Sequence, residues 1–302
     1  MLKQLIKPNT SLIKPLKETF ETFLKRNIVR LGDENILRDA CEYALLNGGK
    51  RIRPLIVMMV SRALGNELDV LEGGLSVEYF HTASLIADDL PCMDNDDFRR
   101  SKPALHKEYG EAVALLASYA LISAGYEKIF QSVQVLSRQK EPFRERANEA
   151  CVIALDAATR CAGISGATGG QFKDLYSEER TLEEAFDIIY KKTITLFEIS
   201  FIFGWVFGGG SLDQVDRIRE TAYHFGMAFQ IADDLDDMDQ DDEDSLNVAH
   251  LIGKDEANEM FEDEIETFTL KMKKLGILTP EFQQIIDLLK AYAKAGSSLG
   301  TP

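Results

Sequence analysis

Three observations predict an all-α fold for this 302-residue chain. Apolar residues recur at helical spacing along nearly all of it, strict polar–apolar alternation is almost absent, and glycine clusters separate the periodic stretches. With 45% hydrophobic residues the chain can bury a sizeable core, and no Ser/Pro-rich linker, composition shift or internal repeat divides it. It reads as one domain of about ten helices, spanning 1–302 with 1–20 and 296–302 loosely held.

Leu37, Cys41, Ala44 and Leu45 share one helical face, and Asn47-Gly48-Gly49 with Pro54 beyond closes that helix. A second helix carries "LIVMMV" at 55–60 and is followed by Gly65. Leu75, Tyr79, Thr82, Leu85 and Ile86 mark a third, which ends near Leu90 because Pro91 cannot continue it. Gly166 to Gly170, Gly208 to Gly210 and Gly276 to Pro280 punctuate the remainder. Between the first two of these lies "FIFGWVF" at 201–207, too short to span a bilayer and read as a buried helix. In "MLKQLIKPNTSLIKPLKETF" Lys and Pro interrupt the apolar residues, so no signal-peptide core is expected, and no membrane span.

A net charge of −16 and a pI near 4.8 predict repulsion from nucleic acid and anionic lipid. The cysteines at 41, 92, 151 and 161 have no CxxC or CxxH spacing, which argues against a disulfide framework or thiolate zinc site and suits a reducing cytoplasmic location.

Within this acidic chain two stretches crowd carboxylates further. "DDLPCMDNDD" (88–97) holds five, and "FQIADDLDDMDQDDEDS" holds nine between Asp233 and Asp244. Asp233 and Asp237, four apart, share a helix face with Asp234 beside them. A bend at Pro91 would fold Asp94 back toward Asp88 and Asp89. Both Asp pairs directly follow apolar residues, "SLIA" and "FQIA", so they sit at the ends of core helices, whereas 239–244 reads as solvated surface. Such clusters are relieved by hard divalent cations, and Mg²⁺ characteristically takes one or two carboxylates plus phosphate oxygens. An EF-hand starting at Asp237 fails, with Asp242 and Val248 where Gly and Glu are required. Lys50, Arg51 and Arg53 in "GGKRIRP", Arg99-Arg100 and Lys191-Lys192 add cationic groups around the acids, a combination that suggests a diphosphate-like ligand. "GGKR" is no P-loop and by itself reads equally as a helix cap.

"GGKRIRP" (48–54), "HTASLIADDLPCMDNDDFRRSKPALHKEYGE" (81–111), "GGQFKDL" (169–175), "KT" (192–193) and "FQIADDLDD" (229–237) occur in the order found in the trans-isoprenyl diphosphate synthases, which the chain closely resembles. The resemblance implies the isoprenoid synthase fold, a single helical bundle around a central cavity, normally a homodimer, with the Asp motifs facing each other across it. It implies Asp88, Asp89, Asp94, Asp233, Asp234 and Asp237 as ligands of three Mg²⁺ ions on an allylic diphosphate, helped by Arg99, Lys192 and Gln230. Lys50, Arg53, His81 and Arg100 would bind isopentenyl diphosphate, with Asp88, Asp89, Lys192 and Arg99 the catalytic set. Thr193 and Gln171 stay open between helix packing and ligand contact. The product tail would run from Asp88 past Ala83 and Ser84 to a floor at Phe80, which implies a twenty-carbon product. Farnesyl diphosphate synthase is the alternative, and a non-catalytic partner subunit or a terpene cyclase the competing readings. The chain departs from the family pattern at Ala87, Ser101 and Ser118-Tyr119, and at Asn247, where a Thr is usual, with no counterpart of the family Lys after the second motif.

Overall fold

Every one of the thirteen residues of the helix Thr195–Phe207 is buried, and the other layers are built around it. In this computed structural model, which describes residues 12–177, 181–238 and 247–298, the helices are α1 (Lys14–Asn27), α2 (Ile36–Leu45), α3 (Ile52–Leu64), α4 (Leu71–Asp88), α5 (Leu105–Tyr109), α6 (Glu111–Ser137), α7 (Phe143–Ala162), α8 (Ala167–Tyr176), α9 (Leu182–Ile189), α10 (Thr195–Phe207), α11 (Val215–Asp237), α12 (Val248–Ile252), α13 (Lys254–Leu275) and α14 (Pro280–Ser298). The chain is all-α, with more helices than the expected ten or so. The surplus comes from short pieces such as α5 and α12, five residues each, which are too short to show a repeat. Of the tail expected to be loose at 296–302, residues 296–298 complete α14, whereas 299–302, the run 239–244 expected to be solvated surface and residues 1–11 lie outside the described residues. Residues 14–20, also expected to be loose, instead begin α1, because Phe20 and Leu24 are completely buried.

Local chemistry explains several boundaries. Asn35 caps α2, its side chain accepting from the amides of Leu37 and Arg38 at 2.9 and 3.0 Å. Gly65, left-handed with φ 69°, ends α3. Between α4 and α5, β1 (Phe98–Arg99) pairs antiparallel with β2 (Lys102–Pro103). Their two-residue loop, Arg100-Ser101, has φ 53° and 69°, the geometry of a tight hairpin turn and the reason Gly is favoured where this chain has Ser101.

α10 packs on α3, α4, α7 and α11, and α4 and α6 form the most extensive helix pair. Phe201 of α10, Phe225 of α11 and Phe268 of α13 make a chain of ring contacts at 5.6 and 5.2 Å, and Phe282 of α14 lies 6.0 Å from Phe201. That cluster ties the C-terminal helices to the central one. α6 and the stretch Phe143–Tyr176 are long and apolar enough to cross a membrane by length and composition, a test that core helices also pass.

α10 approaches α3 closely at Gly204: a Cβ there would lie 2.7 Å from the Val57 carbonyl oxygen and 2.8 Å from the Val60 side chain. Backbone cannot swing aside as a side chain would. Gly204→Ala is therefore expected to destabilise the protein by about 2 kcal/mol through overpacking, read as a lower urea midpoint at an unchanged slope.

Candidate active site

Asp88 is the last residue of α4 and Asp89 caps it. The Asp94 amide donates to the Asp88 carbonyl at 2.9 Å, and the Met93 and Asn95 amides donate to the Leu90 carbonyl, so the chain folds back at Pro91 and brings Asp94 beside Asp88. Asp94 Oδ1 accepts from Gln171 Nε2 of α8 at 2.7 Å, and its other oxygen lies 4.0 Å from Lys192 Nζ. Gln171 thus holds an acidic side chain of the first cluster through its amide nitrogen. Burial, eased by Lys192 and reinforced by Asp94, lifts Asp88 to about 7. Asp89 is also raised by burial, although Arg99 pairs with it through Nε at 2.8 Å and through Nη2, with Asp96 at 2.9 Å on the same guanidinium.

Lys192 sits on a π-helical turn, Tyr190–Ile194, between α9 and α10. Its amine pairs with Asp174 of α8; burial opposes its charge, but Asp174, Asp94 and Asp88 together raise its pKa.

The second cluster occupies the last turns of α11. Burial, opposed by Lys50, lifts Asp233 to about 6. Asp234 is placed differently from expectation: it is 7% exposed, Oδ1 accepts from Gln230 Nε2 at 2.8 Å and Oδ2 from the Val248 amide at 2.9 Å, while Asn247 donates to its carbonyl at 2.8 Å. Those bonds fasten α11 to the start of α12, where Asn247 is the N-cap, accepting from the His250 amide. Gln230 and Thr193 likewise bond each other, at 3.0 Å. Asp234, Gln230 and Thr193 therefore form a relay that anchors the π turn to α12, whereas Asp233 lines the cavity.

Beside Asp233 lies a cavity of about 950 Å³ lined by Lys50, Arg53, His81, Arg99, Arg100 and Asp233, among others. His81 and Leu85 of α4 share its wall with Asp233 and Phe229 of α11, so the two acidic helices meet there. Arg53 Nη1 is 3.4 Å from His81 Nε2 and stacks 4.5 Å from the Phe197 ring centroid. Burial first, then Arg53 and Arg100, push His81 well below its ordinary pKa, so it is a neutral imidazole. Arg53 Nε and His81 Nδ1 are buried with no hydrogen-bond partner. Two orphaned polar atoms beside three further cations fit an anionic guest better than solvent.

The loop that presents Lys50 and Arg53 is held by Arg51. Its backbone is left-handed, φ 58°, and its buried guanidinium pairs with Glu78 of α4, with Glu21 of α1 at 2.8 Å and with the Leu45 carbonyl at 2.6 Å. The sequence names Arg51 only as one more basic residue; its partners are 27 and 30 positions away. Tyr292 of α14 gives no local signal either, yet it hydrogen-bonds Asp233 and lies 5.8 Å from Lys50 Nζ.

The oxygen-only donor set suits a hard divalent cation. Among the described residues no three acidic, His or Cys groups converge closely enough to hold an ion unaided. Pairs such as Asp88 and Asp94 fit Mg²⁺ in the form it usually takes, with ligand phosphate oxygens completing the shell.

The polyprenyl synthetase family profile matches residues 34–256. The chain is 36% identical over 253 residues to a farnesyl diphosphate synthase of Bacillus subtilis, covering 83% of this chain and 81% of that protein. It is 37% identical over 225 residues to the large subunit 1 of a heterodimeric chloroplastic geranylgeranyl pyrophosphate synthase of Arabidopsis thaliana, covering 72% and 58% of the two chains. A geranyltransferase structure from Legionella pneumophila superposes with a TM-score of 0.78 at 27% identity, over 95% of this chain and 97% of the other.

The raised carboxylates have a consequence for stability. Asp88 is favoured in its protonated form in the folded state, so its stabilisation is complete below about pH 4 and is lost as pH rises through about 7. In metal-free protein Asp88→Asn is expected to gain on the order of 1 kcal/mol over wild type at pH 8 and almost nothing at pH 4, measured by denaturant titration at both pH values. An equal effect at the two pH values would contradict this.

Proposed function

The chain belongs to the polyprenyl synthetase family and is a prenyltransferase, and from that premise we propose that it joins isopentenyl diphosphate head to tail to an allylic diphosphate with Mg²⁺ as cofactor, yielding geranylgeranyl diphosphate. The observation that carries the reading is the convergence of Lys50, Arg53, His81 and Arg100 on one cavity in a chain of net charge −16, beside two carboxylate clusters at helix ends.

In this reading the cationic cavity binds the diphosphate of isopentenyl diphosphate, while Asp88, Asp89, Asp94, Asp233 and Asp237, with Asp234 positioned behind them, would hold the divalent ions on the allylic diphosphate. Bound Mg²⁺ supplies Lewis-acid stabilisation of the leaving diphosphate. Lys192 and Arg99 add fixed positive charge where that negative charge develops. The allylic C1–O bond breaks, the isopentenyl double bond supplies the electron pair of the new C–C bond, and one proton leaves the isopentenyl unit for the released diphosphate. Neutral His81 orients the isopentenyl diphosphate and need not exchange a proton.

Product length is read from α4. Ala83 is 1% exposed, with its carbonyl held by Ser118 Oγ of α6 at 3.0 Å, so the accessible face runs from Asp88 and Ala87 to Ser84 and stops at Phe80, 4% exposed. Phe80 is wedged against Gly125 of α6 and meets Tyr126 edge-on at 5.1 Å. That pair supports Phe80 as a floor one turn below Ser84 and a twenty-carbon product.

A homodimer is part of the reading. Leu115, Leu116, Tyr119 and Ile122 of α6 form an exposed apolar face, with Val152 and Leu155 exposed on the neighbouring α7. Tyr119, one of the departures from the family pattern, stands in that face at 58% exposure. The separated cysteines support a reducing, cytoplasmic location.

Purified protein incubated with Mg²⁺, isopentenyl diphosphate and dimethylallyl, geranyl or farnesyl diphosphate is expected to give a twenty-carbon product by mass spectrometry. Asp88→Asn and Asp89→Asn should each lower turnover on the order of 10³-fold with an unchanged far-UV spectrum, and Phe80→Ala should lengthen the product. A fifteen-carbon product would remove the Phe80 floor and keep the enzyme; no product from any primer would refute the reading. Sedimentation should give twice the 33.8 kDa chain mass, and Leu116→Glu with Tyr119→Glu should return it to one.

A further inference from the structure

Tyr292 lies on α14, far in sequence from both acidic clusters, and only 6% of it is exposed. Its hydroxyl hydrogen-bonds the side chains of Asp233 and Asp236, three apart on the last turns of α11. Its ring faces Lys50 Nζ at 5.8 Å, while Phe229 faces the same amine at 5.9 Å from the other helix. Lys50 is thus held between two aromatic faces, in the field of Asp233, Asp236 and Asp237, whose charges oppose the burial that lowers its pKa.

This arrangement answers a physical difficulty. Carboxylates crowded at the C-terminus of a helix repel one another and face the negative end of its dipole, so nothing in α11 itself would keep Asp233 in one rotamer. A phenol is a neutral donor that keeps its proton at neutral pH. It can fix a carboxylate without neutralising it, and so leave the charge available. Arg or Lys at the same place would compete with a bound cation.

We propose that Tyr292 is a positioning residue: its hydroxyl fixes Asp233 for cation binding and its ring fixes Lys50 for the diphosphate, so that the C-terminal helix couples the two halves of the site. This rests on the function proposed above. Tyr292 touches no reacting atom and acts only through Asp233 and Lys50.

The two parts of the side chain make separable contributions. Tyr292→Phe removes the hydroxyl and keeps the ring; Tyr292→Leu removes both. Binding of inorganic diphosphate to the full-length protein is measured by calorimetry across a Mg²⁺ series, together with steady-state constants and melting temperature. Tyr292→Phe is expected to need roughly tenfold more Mg²⁺ for half-maximal diphosphate binding, the usual consequence of removing a group that orients a metal ligand, with KM for isopentenyl diphosphate within about twofold of wild type. Tyr292→Leu should show the same Mg²⁺ shift and a further rise, about tenfold, in KM for isopentenyl diphosphate. A Tyr292→Phe isotherm that overlays wild type overturns the proposal. So does a loss of both affinities in Tyr292→Phe in step with a lower melting temperature, which would mark plain packing. Wild-type protein that neither binds Mg²⁺ with diphosphate nor forms product would instead sink the functional reading beneath it.

Discussion

Arg51 places a full charge where the helical core makes charge costly, and the geometry of the cation-lined cavity depends on it. Its guanidinium is enclosed by Glu78 from α4, Glu21 from α1 and the last carbonyl of α2, so a single side chain joins three helices. Removing one partner of such a buried pair typically costs 3–5 kcal/mol, because the other charge is left unpaired. The backbone accepts the unfavourable left-handed conformation at Arg51 within this network. Lys50 and Arg53 on either side then point into the cavity, with Arg53 seated on Phe197 of the central helix.

The acidic residues are set by an opposite logic. Both clusters stand at the C-terminal ends of α4 and α11, the ends at which negative charge is least welcome. Local cations relieve only some members: Arg99 takes Asp89, Lys192 leans toward Asp94 and Asp174, and Asp234 is taken up by backbone and amide donors around α12. Asp88 and Asp233 are left raised. The folded chain is consequently built with an electrostatic deficit that a divalent cation and a polyanion together would remove, and this deficit, more than any single contact, distinguishes the site from an ordinary acidic surface.

The π turn Tyr190–Ile194 carries the same theme into the core. The extra residue per turn places Lys192 toward α8 and the first acidic cluster, and Thr193 toward Gln230 of α11. Beneath it Tyr190 hydrogen-bonds Glu198, a buried carboxylate 1% exposed that also lies 3.8 Å from Arg219 and accepts from the Cys161 thiol. Glu198 is the one charged residue of α10, and its partners fix the rotation of that helix against α7 and α11.

The sequence by itself determined the all-α class and the ends of the core helices, because hydrophobic period, glycine and proline act over a few residues. The same local reasoning reached the Pro91 fold-back of Asp94 toward Asp88, which needs only a helix stop and a bend. It did not reach what depends on distant partners. Gln171 against Asp94, Arg51 between Glu21 and Glu78, and Tyr292 on Asp233 each join residues from different helices, and no spacing in the chain encodes those meetings. Asp233 and Asp234 are adjacent and identical in type, yet one faces the cavity and the other is consumed by α12. Successive helical residues point about 100° apart, so only the packing around α11 could decide which of the two carboxylates remains available.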